Sequence, residues 1–267
     1  MALPKSQAWL VNGFCRYAAS MVRSKFTCFA VQFEEPPELL AREGHAMVVF
    51  ANHVGWWDPI VAMLLRKAYF PSHTLFAPID AKALEAYGIF RSLGFYGIQL
   101  DRLAGAAEFL KTSRALLEKP KNSIWITPEG TFTDCRDHNR PLMPGLAHLA
   151  ADAPKAVFVP LAIEYPFWEE PRPMIAIRFG AGTCFSPDQN KKECEEILRN
   201  SLRRTQQELA QAVIGRDHSH FDYLIQPRSQ RQGFYDTMRS WKAWMQGRPF
   251  DPSHRSVTTS RSHTTKS

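Results

Sequence analysis

His53 and Asp58 lie in one short stretch, Ala51-Asn-His-Val-Gly-Trp-Trp-Asp-Pro59, with four residues between them. A histidine held by a carboxylate can act as a general base, because the carboxylate fixes the imidazole tautomer and stabilises the imidazolium formed when a proton is taken. Asp58 directly before Pro59 also has the form of a helix N-cap followed by a first-turn proline, so a purely structural role is open to it. Between the two lie Trp56 and Trp57, whose indoles suit stacking on a sugar, flanking an acyl chain or packing into a core.

The elements that must position this loop are legible as alternating short and long patterns. β-branched and aromatic runs at Cys28 to Phe33, Ala46 to Ala51, Tyr96 to Leu100, Ser123 to Thr127 and Ala156 to Ile163 predict strands. Helical spacing and composition predict helices over Pro59 to Lys67, Ala81 to Ser92, Leu103 to Lys119 and Pro144 to Ala151, with Asp80 as an N-cap. A longer helix is predicted over Pro187 to Ile214, started by Ser186-Pro187-Asp188. The His53 loop therefore follows an apolar strand, at the carboxyl edge where α/β sheets place their sites. The expected fold is a single α/β layered domain, a central mixed sheet flanked by helices, with an amphipathic helix at each end.

The two ends carry the same pattern. Trp9, Leu10, Phe14, Tyr17, Met21 and Val22 recur at three- and four-residue steps among Lys5, Arg16, Arg23 and Lys25. Phe234, Met238, Trp241 and Met245 repeat the spacing beside Arg231, Arg239, Lys242 and Arg248. Each predicts a helix that either packs on the domain or lies in a bilayer interface, aromatics sunk among headgroups and cations toward anionic lipid. The boundaries that follow are an N-terminal helix over 1–27, a main domain over 28–250 and a disordered basic Ser/Thr-rich tail over 251–267.

Composition bounds the function class. The 267 residues are 45% hydrophobic and 12% aromatic, enough to bury a substantial core in one domain. Of the 33 basic residues, which exceed 26 acidic ones, Arg255, Arg261 and Lys266 fall in the tail, so the remaining excess reads as an ordinary solvated surface and not a nucleic-acid face. Five cysteines without a C-x-x-C spacing argue against a disulfide framework and a zinc cluster and fit a reducing compartment. No run reaches the roughly 18 apolar residues of a spanning helix, and the start lacks a signal-peptide core. A location in the cytoplasm, or on a membrane from its cytoplasmic face, is expected.

Three further segments follow the His53 loop in order: Gly94-Phe-Tyr-Gly-Ile-Gln-Leu-Asp-Arg102, Ile126-Thr-Pro-Glu-Gly-Thr131 and Val159-Pro-Leu-Ala162. With Asn52 to Asp58 they resemble the four ordered blocks of the glycerolipid acyltransferase family, of the lysophosphatidic acid acyltransferase type. Those blocks are N-H-x4-D, a glycine-rich block ending in arginine, F-P-E-G-T-R-S, and a short apolar block containing V-P. The resemblance covers about Met47 to Ile163. It implies that His53 takes the proton of an acceptor hydroxyl while Asp58 orients it, and that the hydroxyl attacks an acyl thioester without a covalent acyl-enzyme. Acyl-CoA or acyl carrier protein would be the co-substrate, a membrane lipid the acceptor, and no cofactor or metal would be needed. By the same resemblance Arg102 helps bind the acceptor, and Glu129, Gly130 and Thr131 shape its pocket. Asn52, Gly94, Gly97, Pro128 and Pro160 support the blocks, with backbone amides near the glycines as expected oxyanion donors. Pro160 is expected to end or kink its strand.

The departures bear on the acceptor. Phe132 stands where the family has arginine, Thr127 replaces the aromatic before the proline, and Pro141-Leu-Met-Pro-Gly145 lacks the lysine often found before that glycine. Such cations would neutralise the phosphate of a lysophosphatidic acid. Arg102 with Arg136 or Arg140 could substitute, and a neutral or glycosylated lipid hydroxyl competes as acceptor. An acyl-thioester hydrolase and a non-catalytic membrane-binding module are the rival functions, and the oligomeric state is left open.

Overall fold

The computed structural model describes residues 3–99, 102–227 and 245. Its regular elements up to Ile225 lie in one compact unit, Met1–Pro227. The C-terminal amphipathic stretch, Met245 apart, and the tail from 251 lie outside the described residues.

Eight strands form one sheet: β1 (Phe29–Phe33), β2 (Ala46–Ala51), β3 (Thr74–Asp80), β4 (Phe95–Ile98), β5 (Asn122–Ile126), β6 (Ala156–Glu164), β7 (Ile175–Phe179) and β8 (Asp222–Ile225). Their order is β4-β3-β5-β2-β6-β7-β1-β8, parallel from β4 to β6 and antiparallel at β6–β7 and β1–β8. The fold is α/β with a mixed sheet, as the sequence implies. Eight helices are described: α1 (Ala8–Lys25), α2 (Pro37–Leu40), α3 (Asp58–Tyr69), α4 (Ala81–Ala86), α5 (Ile89–Ser92), α6 (Leu103–Leu117), α7 (Gly145–Asp152) and α8 (Lys191–Gly215).

The central strand β2 is apolar at every position because both of its faces are covered, as in buried parallel sheets. Met47, Val49 and Ala51 face the layer built on α1 and α3, while Ala46, Val48 and Phe50 face that of α6, α7 and α8. Each fully buried large side chain contributes on the order of 1.5–3 kcal/mol. The end of β2 is consequently a rigid platform for the loop that leaves it.

Several boundaries differ from expectation for identifiable reasons. β3 was hidden by Pro78, but β3 pairs with β5 only over Thr74 to Phe76, so the missing amide falls beyond that ladder. The helix expected over Ala81 to Ser92 breaks at Tyr87 and Gly88 into α4 and α5. Asn190 starts α8 with a capping box to Glu193, four residues later than the Ser186-Pro187 signal. Pro160 does not end its strand: it lies inside β6, opposite Phe50 of β2. Its carbonyl accepts from Gly180 N at 3.0 Å, and a Cβ on Gly180 would meet the proline ring at 2.8 Å, so glycine lets β7 pass the proline.

Candidate active site

Asn52, the first residue past β2, prolongs the sheet with its side chain. Its amide nitrogen donates to Ile163 O at 3.0 Å and its oxygen accepts from Ile163 N at 2.8 Å. Both peptide groups of Ile163 are thus satisfied beyond the last β2–β6 pair, Ala51 with Leu161. This contact fixes where the chain turns into the His53 loop.

His53 Nδ1 lies 2.7 Å from Asp58 Oδ2, which also accepts from Gly55 N at 3.0 Å. Tyr165 Oη donates to the other oxygen, Oδ1, at 2.6 Å. Asp58 is 4% exposed, so three protein donors stand in for water. It does not cap α3 as the Asp-Pro pair suggested. Trp57 precedes the helix without a side-chain cap, and Asp58 is the first helical residue, its carboxylate turned back into the loop. There the helix N-terminus favours its negative charge. Since Asp58 accepts, Nδ1 carries the proton in neutral His53 and Nε2 keeps a lone pair. The arrangement can take a proton at Nε2 and stabilise the resulting imidazolium.

The loop after β5 wraps the other side of His53. His53 N donates to Glu129 Oε2 at 2.9 Å, and Thr133 N donates to His53 O at 2.7 Å. Glu129 is 4% exposed, and its second oxygen accepts from Arg203 Nη1 of α8 at 2.9 Å. Arg203 also donates to Gln206 Oε1 at 2.7 Å and to the carbonyl of Arg140 at 2.6 Å. Glu129 thus points inward and offers no charge to a pocket; it clamps the His53 main chain to α8. Gly130 holds a left-handed turn at φ +69°, and a Cβ there would lie 2.6 Å from Met143 Sδ. Pro128 O accepts from Met143 N at 2.7 Å, which closes the loop on the approach to α7.

The remaining residues singled out in the sequence divide into framework and rim. Gly94 (φ +100°) passes so close to β3 that a Cβ would sit 2.3 Å from Leu75 O, and Gly97 lies against the start of α4. The amides of Gly94 and Gly130 donate to Arg91 O and Thr127 O in their own turns, so neither is free to meet an oxyanion. Beyond Gly130, the amides of Thr131 and Phe132 have no acceptor among the described residues. Phe132 is 63% exposed and lays its ring against the imidazole of His53, centroids 4.5 Å apart. Trp57 packs inward on Phe26 at the end of α1, at 4.9 Å, whereas Trp56 is 62% exposed. Arg102 is exposed immediately before α6.

Of the two arginines that could replace the missing cations, Arg136 is held by both oxygens of Asp134, at 2.8 and 2.7 Å. Arg140 donates to Thr131 Oγ1 at 2.9 Å. Burial, reinforced by the charge of Glu164, pushes the Cys135 thiol up to about 11, so it is not a thiolate nucleophile near neutral pH. Burial also raises Glu164, the last residue of β6, to about 7, with Asp134 adding to the shift and Arg136 opposing it. The phenol of Tyr165 is raised well above its ordinary value by burial and by Asp58, so it stays a donor.

The acyltransferase family model matches residues 31–164, half of the chain, from within β1 to the end of β6. The chain belongs to the acyltransferase family. The match contains the His53–Asp58 loop, Glu129 without its partner Arg203, and Asn52 with its partner Ile163, and supports an acyltransferase enzyme of the lysophospholipid acyltransferase kind. No curated protein matches the chain. Among the described residues no helix is long and apolar enough to cross a membrane. Tyr165, Arg203, Gln206 and Phe26, which shape this candidate site, are not singled out by the sequence. Only α8 carried a signal, since Arg203 and Gln206 are polar yet adjoin its apolar stripe at Leu198, Leu202 and Leu209.

Proposed function

We propose that the protein transfers a fatty acyl group from an acyl thioester, acyl-CoA or acyl carrier protein, to a hydroxyl of a membrane lipid at the cytoplasmic face of a membrane. The observation that carries this reading is the 2.7 Å contact between His53 Nδ1 and Asp58 inside the family-matched segment. His53 Nε2 takes the hydroxyl proton as the acceptor oxygen attacks the thioester carbonyl. The C–O bond forms, the C–S bond breaks, and the proton passes from His53 to the departing thiolate, releasing a free thiol. The amides of Thr131 and Phe132 have no acceptor among the described residues and belong to the loop whose Phe132 ring packs on His53, so we take them as the oxyanion donors. With the pair intact, this family membership favours transfer over hydrolysis or a non-catalytic role.

For the acceptor we favour a neutral or glycosylated lipid hydroxyl over a phosphate monoester. Phe132 occupies the rim at His53, Arg203 is neutralised by Glu129, and Arg136 by Asp134. Arg102 and Arg140 are the cations left to serve a phosphate, and charge-assisted contacts to phosphate are the strong ones. The face of α1 that carries Trp9 and Tyr17 is exposed, which suits a peripheral contact with the lipid surface. The test is incubation with labelled palmitoyl-CoA and membrane lipid extract, with and without lysophosphatidic acid, followed by separation of every labelled lipid. Label in a glycolipid or neutral lipid supports the acceptor reading; label confined to phosphatidic acid overturns it.

A further inference from the structure

We propose that Tyr165 is a positioning residue for the His53–Asp58 pair, fixing the Asp58 carboxylate and tempering its hold on the imidazolium. This rests on the reading of His53 as general base. Tyr165 lies one residue beyond the family-matched segment and outside all four sequence blocks. Its hydroxyl takes Asp58 Oδ1, the oxygen that His53 and Gly55 leave unused. A carboxylate tied by one oxygen can turn about its Cβ–Cγ bond; tied by both, it presents Oδ2 to Nδ1 in one orientation. The Tyr165 ring is itself held by Phe26 at 5.7 Å, and Phe26 also braces Trp57. The end of α1 thereby supports the carboxylate through packing alone.

The donated hydrogen bond also has an electrostatic consequence. It draws negative charge onto the phenol side of Asp58, so less remains to stabilise an imidazolium at His53. Without the hydroxyl the carboxylate holds the imidazolium more strongly, and the base form of His53 appears only at higher pH. Of the other charged groups, Glu129, paired with Arg203 of α8, bonds the His53 main chain, while Glu164 precedes Tyr165 in the chain and Asp134, paired with Arg136, follows Thr133, whose amide donates to His53 O. Replacing Tyr165 by phenylalanine leaves every one of them in place.

The test is Tyr165→Phe, followed by the pH–rate profile of acyl transfer and by NMR titration of the His53 imidazole in the full chain. The expected result is a loss of about tenfold in kcat with KM little changed, as for a lost hydrogen bond to a charged group, and an acidic limb displaced to higher pH. The imidazole midpoint should move upward in step. In an Asp58→Asn background Tyr165→Phe should leave that midpoint unmoved. An unmoved limb and midpoint in the single variant overturn the proposal, even if melting temperature falls. The titration needs no substrate, so a chain that transfers no acyl group would sink the functional reading while the imidazole still decides the role of Tyr165.

Discussion

Glu129 and Arg203 form an ion pair at 2.9 Å whose side chains are 1% and 10% exposed, and through it helix α8 grips the main chain of His53. A buried pair of this kind adds little net stability when whole, but breaking it strands a charge. Arg203→Met should therefore cost about 3–5 kcal/mol in urea unfolding and abolish transfer. Adding Glu129→Gln should recover part of the stability by removing the stranded charge. An Arg203→Met protein as stable as wild type would mean that α8 does not anchor the loop.

Gly130 makes a second, smaller claim on the same loop. Gly130→Ala would hold a side chain in the left-handed region at a cost of about 1–2 kcal/mol, and would press on Met143 Sδ. The thioether is flexible and can yield, so the backbone cost dominates. A fall in melting temperature of about 2–8 °C is expected. Met143→Ala in combination should relieve the contact and restore little, because φ is unchanged.

The site should also leave a mark on stability against pH through Glu164. Its folded value, about 7, exceeds the ordinary 4.5, so between those two values the native state holds a proton that the unfolded chain has released. Stability therefore falls as pH rises through this window. Glu164→Gln should flatten the decline, gaining melting temperature over wild type at pH 8 and none at pH 4. A parallel offset at every pH would contradict the assignment.

How legible the site was in the sequence depends on how local its contacts are. The His53–Asp58 pair, the capping Asp80 and the buried strand β2 all rest on spacing of a few residues, and the chain reads them directly. The sequence leaves Asp58 open between a helix cap and a partner of His53, because an Asp-Pro pair carries the same signal whether the carboxylate turns into its helix or back to His53. Glu129 was expected in an open pocket because its partner, Arg203, is 74 residues away and nothing local announces a buried ion pair. Tyr165 escaped for the same reason, standing 107 residues from Asp58. Strands β7 and β8 were missed beside the proline-rich approach to Ile175 and in a four-residue segment too short to show a period. What the sequence hid is what the sheet brings together from far along the chain.

Whether His53 is the base for acyl transfer is decided most directly by comparing wild type with His53→Ala, using labelled palmitoyl-CoA and membrane lipid extract, at matched melting temperature. Loss of a positioned base removes a factor on the order of 10²–10⁴, so labelled lipid should fall at least a hundredfold in the variant. A correctly folded His53→Ala protein that transfers label at the wild-type rate would contradict the account.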